Sequence, residues 1–272
     1  MAYTAIDDPA EYFNIVLYTG TGSDRDVTGV GFTSNLIWLK ERSQTDYHFI
    51  NDSVRGTGTN SHYLNLYPNA TTAETDQANG INTIGSDGFS ITTRDELNES
   101  SQTYVAWCWK ESATAGFDIV SYTGNVTART IAHSLSAVPT MIIVRNRSII
   151  SNWPIYHASL GNDKDVYLDL TDAIGSADFW NATTPTSSVF SIKTQNAVNG
   201  DGNAMIAYCF APKQGFSKFS SYIGNGNADG TFVYTGFRPA FVICKRSSGT
   251  GNWQMFDSKR EGYNVDNDGL QA

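Results

Sequence analysis

Tyr104-Val105-Ala106-Trp107-Cys108-Trp109 returns about one hundred residues later as Met205-Ile206-Ala207-Tyr208-Cys209-Phe210, and the residues around it return too. Each string is a continuous apolar run too short for an ordinary helix. Trp107 and Trp109 fall on one face and Cys108 on the other, the period of a buried strand. Working outward, Ser86-Asp87-Gly88-Phe89-Ser90-Ile91 is answered by Val189-Phe190-Ser191-Ile192, and Phe89 to Cys108 equals Phe190 to Cys209 at 19 residues. Tyr18-Thr19-Gly20, Tyr122-Thr123-Gly124 and Tyr222-Ile223-Gly224 lie 104 and 100 residues apart. Between them, Leu36-Ile37-Trp38-Leu39-Lys40, Met141-Ile142-Ile143-Val144-Arg145 and Phe241-Val242-Ile243-Cys244-Lys245 repeat an apolar strand ended by a cation. Matched spacing across unlike residues marks a duplicated folding unit.

The expected fold is all-β: tandem β-sandwich, jelly-roll-like units of about 100 residues, large enough for individual cores. Residues 1–12 form an N-terminal arm, 13–114 the first unit, 115–214 the second and 215–272 a partial third. The third unit stops before its Cys-bearing strand, so the expectation is a chain that continues, or a half-unit completed by another subunit. The links Lys110–Gly116 and Ala211–Gly215 are too short for independent tumbling, and stacking into a stiff rod is expected. Helix signals are thin: one turn at Asp95–Glu99 and another at Thr171–Ile174.

Composition narrows the partners. Charged residues make up 17% of the chain and the net charge is −9, a poor match to nucleic-acid backbones or anionic bilayers. No run approaches the length of a membrane span, and Met1-Ala2-Tyr3-Thr4 opens no signal peptide. The three cysteines, Cys108, Cys209 and Cys244, read as buried reduced thiols, the first two in separate cores. The Asn-x-Ser/Thr triplets at Asn51, Asn69, Asn98, Asn125, Asn146 and Asn181 are assigned no role.

The most site-like string is Asn51-Asp52-Ser53-Val54-Arg55-Gly56 with His48 nearby. The repeat supplies a control: set against His157-Ala158-Ser159-Leu160-Gly161 and Phe256-Asp257-Ser258-Lys259-Arg260, only the serine persists, and His48 falls opposite Pro154 and Gln254. A serine without a paired base is a turn residue. The cations Lys40/Arg42, Arg145/Arg147 and Lys245/Arg246 read either as a ligand-facing row or as strand-end caps paired with Asp52 or Asp257. His48, His62, His133 and His157 have no metal-ligand spacing, and Asp163-Lys164-Asp165 and Asp266-Asn267-Asp268-Gly269 fall short of a calcium loop. No nucleotide cradle is present. The expectation is therefore no catalytic, metal or cofactor residue, and no cofactor.

The strings Ile6-Asp7-Asp8-Pro9, Tyr12-Phe13, Leu17-Tyr18-Thr19-Gly20, Trp38-Leu39-Lys40-Glu41-Arg42, Asp52-Ser53-Val54-Arg55-Gly56, Ser86-Asp87-Gly88-Phe89 and Tyr104–Lys110 together resemble a tandem domain of unassigned function. That domain is frequent in structural and tail-fibre-like proteins of marine tailed bacteriophages, cyanophage and pelagiphage types included. The likeness is strongest over residues 6–110; the second unit departs at the Asp-Ser-x-Arg-Gly and Ser-Asp-Gly-Phe signatures. It implies a virion location and no catalytic residue that can be carried over. The expected role is a tail fibre or fibre-like appendage for host attachment, as a homo-oligomer, a trimer, among other virion proteins and with a host surface glycan or receptor as target. The alternatives are a capsid- or tail-decorating protein and a host-glycan depolymerase.

Overall fold

The computed structural model describes residues 4–260 and 269–271. The first unit runs β1 (Phe13–Thr19), β2 (Arg25–Thr28), β3 (Leu36–Glu41), β4 (Phe49–Asp52), β5 (Ile81–Gly85), β6 (Gly88–Ile91), the helical turn α1 (Asp95–Asn98) and β7 (Thr103–Trp109). The second runs β8 (Phe117–Thr123), β9 (Arg129–Ala132), β10 (Met141–Asn146), β11 (Pro154–His157), β12 (Val166–Tyr167), β13 (Val189–Ile192), α2 (Asn196–Asn199) and β14 (Ala204–Phe210). The third contributes β15 (Phe241–Cys244), β16 (Gln254–Asp257) and β17 (Leu270–Gln271). The fold is all-β, built of antiparallel sheets.

The first two units trace one path. Their main sheets have the orders β1-β7-β3-β4 and β8-β14-β10-β11-β12, and their second sheets are β2-β6-β5 and β9-β13. Register agrees residue by residue: Phe13 pairs with Trp109 as Phe117 does with Phe210, and Ile37 faces Cys108 as Ile142 faces Cys209. The second helical turn is α2 rather than Thr171–Ile174; it occupies the place of α1, before the closing strand.

The continuous apolar runs are explained by burial on both faces, since all six residues of β3 and all six of β10 are buried. One face of the first main sheet (Ile37, Leu39, Ala106, Cys108) packs on its own second sheet through Val27, Phe89 and Ile91. Ile142, Val144, Ala207 and Cys209 do the same with Ile131 and Phe190 in the second unit. The opposite faces meet each other. Trp38, Val105 and Trp107 of the first unit, Ile143, Ile206 and Tyr208 of the second, and Trp253 and Met255 of the third form one shared core.

This shared core overturns the rod. Units stacked end to end would meet only at their tips, whereas here every main sheet turns a face inward. The apolar surface that an isolated sandwich would leave wet is removed from water by closing the units around a pseudo-threefold centre. The arm is also packed rather than free: Asp8 caps a single 3-10 turn at Pro9–Glu11, Ile6 is buried, and the Tyr12 ring meets Phe216 edge-on at 6.3 Å.

Candidate functional site: the polar junctions between units

Strand pairing corrects the comparison of the units. Leu36 faces Asp52, Met141 faces His157 and Phe241 faces Asp257. Asp52, His157 and Asp257 are therefore equivalent, and counting back places His48 with Trp153 and Trp253, not with Pro154 and Gln254. Ser53 stands with Ala158 and Ser258, so the serine does not persist. The Asp–Arg pair does, in units one and three, with Leu160 in the arginine's place in unit two. A match on Ser159 is one residue off in the second unit, and setting His48 against Gln254 is one residue off in the third.

The realigned positions form three sets of junctions. In the first, a ring N–H enters the preceding unit. Trp153 Nε1 donates to Tyr67 O at 3.0 Å, and Trp253 Nε1 donates to Tyr167 O at 2.8 Å. His48 closes the circle, its Nε2 lying 2.9 Å from Gln271 O in the third unit. Trp38 Nε1 donates to His48 Nδ1 at 2.9 Å, so the neutral ring carries its proton on Nε2 and donates it to that carbonyl. Burial, with Lys40 nearby, pushes the imidazole down to about 3. His48 is held as a neutral donor, doing what an indole does in the other two units.

In the second set, a carboxylate collects donors from two units. Asp52 Oδ1 accepts the Arg55 N–H at 2.8 Å, and Oδ2 accepts Arg55 Nε and, at 2.7 Å, the Tyr208 hydroxyl of the second unit. Asp257 repeats this. Its Oδ1 accepts the Arg260 N–H at 3.1 Å; its Oδ2 accepts Arg260 Nε at 2.7 Å and Trp107 Nε1 of the first unit at 3.0 Å. Tyr208 and Trp107 are equivalent positions on β14 and β7. Both ion pairs have side chains at 0% exposure. Burial alone would lower the Arg55 guanidinium, but Asp52, Tyr208 and Glu74 around it hold it above its ordinary value. Burial, then Asp52, raises the Tyr208 hydroxyl well above the usual range.

The third set contains the strand-end cations. They do not pair with Asp52 or Asp257. Arg145 donates to Thr71 O at 2.8 Å and Thr72 O at 2.5 Å in the first unit, and its guanidinium lies 5.3 Å from the Trp153 ring centre. Lys245 donates to Leu170 O of the second unit at 3.1 Å, and Lys40 to Gln44 O in its own unit at 3.0 Å. Burial lowers all three, Arg145 to about 10. Loops 67–79 and 161–176 are thus clasps on the following unit; Glu74 of the first also bridges Arg55 and Arg147.

Two carboxylate pairs were not singled out in the sequence. Glu111 meets Asp118 at the first link, and burial, then that hydrogen bond, raises Glu111 to about 7. Burial and Asp46 raise Glu41 likewise to about 7. Neither pair carries a motif, because each partner comes from a different loop or strand end. Cys108 and Cys209 are buried in the separate sandwich cores and Cys244 is half-buried, all three free thiols.

Among the described residues no three His, Cys, Asp or Glu side chains converge as metal ligands. Asp163 pairs with Lys164, and Asp266–Asp268 lie outside the described residues. An open depression is lined by Asp24, Arg25, Asp26, Asn82, Ser90 and Ile91 on the outer sheet of the first unit. No described helix is long and apolar enough to cross a membrane.

The fold and its junctions define a class: an all-β assembly of sandwich units locked to one another by buried polar contacts. The chain belongs to the family described as domain of unknown function DUF7483, whose profile matches residues 8–272. Comparison with curated proteins gave no match.

Proposed function

We propose that the chain is a structural component of a virion, a tail-fibre or fibre-like appendage used in host attachment, and not an enzyme. One observation carries this reading. Asp52, Arg55 and His48, the groups with the chemistry of a reactive centre, are buried; Asp52 and His48 hold one unit to another, and Arg55 is locked against Asp52 within its own unit. A nucleophile or general base must reach substrate, and these groups face protein donors and acceptors instead. The resemblance to tail-fibre-like proteins supports the virion location, and the acidic composition suits a particle surface that avoids nucleic acid.

The closed body favours a compact head over a shaft, which gives weight to the second reading, a capsid- or tail-decorating protein. Without the rod, the reason for expecting a trimer also goes; light scattering decides whether the chain self-associates. Antibody labelling of particles tests the virion location, and its position on the particle separates the two readings. Attachment predicts saturable binding to host cells without product. Release of reducing sugar from host polysaccharide would instead establish the depolymerase.

A further inference from the structure

Hairpins of equal length follow β3, β10 and β15: residues 41–48 in the first unit, 146–153 in the second and 246–253 in the third. In register they carry unlike chemistry. Glu41 stands with Asn146 and Arg246, Asp46 with Ser151 and Gly251, and His48 with Trp153 and Trp253. Side chains that gain or lose a proton between about pH 4 and 8 are thus gathered in the first hairpin alone of the three. That hairpin also carries the ring that reaches the third unit, at Gln271 O.

His48, 0% exposed, has both ring nitrogens engaged. Nδ1 accepts the Trp38 indole N–H at 2.9 Å, and Nε2 gives its proton to Gln271 O at 2.9 Å. A second ring proton would go to Nδ1 and face the Trp38 N–H, donor against donor. The new charge would also lie near Lys40, the cation that acts on the ring from β3. The ring's other neighbours are neutral: Asn69, whose Oδ1 accepts the His48 N–H at 3.0 Å, and Gln271. Glu41 and Asp46 act on Lys40, and Glu99 on Glu41; among the described residues no carboxylate acts on the ring itself. Trp153 and Trp253 make the equivalent bonds with indoles, which have no second proton to take.

We propose that this hairpin makes the seam between the first and third units acid-responsive: a second proton on His48 turns the ring from Trp38 and off the Gln271 carbonyl, and the seam parts there while the two tryptophan seams hold. The direction follows from burial, which with Lys40 pushes the imidazole from 6.5 down to about 3 in the closed chain. Closure is therefore fully favoured above about pH 6.5 and weakens as pH falls towards 3. Glu41 has the opposite sign. Burial, then Asp46, raises it to about 7, so its contribution is present in acid and lost as pH rises through 7, and it is no source of opening in acid. The inference does not depend on where the chain works.

Hydrogen exchange of the 272-residue chain, corrected for intrinsic rates, tests it. Between pH 7.5 and 4.5, protection over 48–52 should fall about 100-fold, tenfold for each pH unit below 6.5, while 153–157 keeps its protection. His48→Gln supplies an amide donor and a carbonyl acceptor without a proton to gain, and should abolish the fall. Ring nitrogen spectra of the unaltered chain give a second readout. They should show a neutral His48 with its proton on Nε2 at pH 7.5, and the charged ring only as protection is lost. Retained protection at pH 4.5, an equal fall over 153–157, the same fall in a folded His48→Gln chain, or a charged ring in a protected seam would each overturn the proposal.

Discussion

The Tyr208 hydroxyl donates to Asp52 at 2.7 Å across 156 residues of sequence. Trp107 makes the equivalent bond to Asp257 at 3.0 Å across 150. A tyrosine and a tryptophan thus perform one task at one place in the repeat, each donating to the carboxylate of a different neighbouring unit. What recurs is the donor, not the residue type.

Removing the donor and removing the acceptor should have unequal costs. Tyr208→Phe leaves Asp52 its arginine and backbone donors, and should cost about 1–1.5 kcal/mol in urea unfolding. Asp52→Ala takes from the buried Arg55 guanidinium its closest counter-charge, leaving Glu74 as its remaining carboxylate partner, and should cost about 3 kcal/mol. Equal costs for the two variants would show that the carboxylate does not organise this junction.

Glu111 gives stability a pH dependence of definite sign. Its pKa near 7 in the folded chain lies above the ordinary 4.5, so the folded state retains a proton that the unfolded state has lost. Stability should fall as pH rises from about 4.5 to 7 and then level off, as far as this group is concerned. Glu111→Gln keeps an acceptor for the Ile119 N–H and should flatten part of that slope, raising the melting temperature at pH 8 more than at pH 5. A variant with the parent's slope would remove Glu111 as its source.

Val126 occupies the place of Gly22. Both donate their N–H to the carbonyl of the asparagine that ends the helical turn, Asn98 or Asn199, and both have positive φ, +69° for Gly22 and +50° for Val126. A β-branched residue in that region is strained, and Val126 is exposed, so little burial offsets it. Val126→Gly should stabilise the chain by about 1 kcal/mol. A lower melting temperature would contradict this.

Gly124 and Gly224 supply a matched pair. Gly124→Ala drives a Cβ into the Gly200 carbonyl and should lower the melting temperature by several degrees. Gly224→Ala meets no described atom and should leave it within about a degree, in keeping with surface substitutions of about ±0.5 kcal/mol. Thermal melts of the two variants side by side are sufficient.

Much of the fold was legible, because strands buried on both faces announce themselves. Leu36–Leu39 and Met141–Val144 read as continuous apolar runs, and the spacing of Tyr-x-Gly, Phe-x-Ile and the Cys-bearing strand marked the duplication. What covered the second face was not legible. A lone sandwich core and a core shared among units impose the same pattern on a strand, so the rod and the closed body differ in nothing that periodicity records. The junctions were hidden for another reason. Their positions tolerate His48 for Trp153 and Trp253, or Tyr208 for Trp107, since any ring N–H or O–H of suitable reach serves. Residue identity then misaligned the second unit by one position, and only strand register restored it. The strand-end cations were found, but their acceptors are backbone carbonyls, which leave no trace in a sequence.

The closed arrangement of the units is the claim on which the junctions, and the structural reading built on them, depend. Small-angle X-ray scattering of the 272-residue chain tests it directly. A body closed around a shared core should have a radius of gyration of about 18–19 Å, the value for a compact chain of this length. Units strung end to end would give about 28–30 Å by the same scaling applied to each unit separately, and that result would contradict the account.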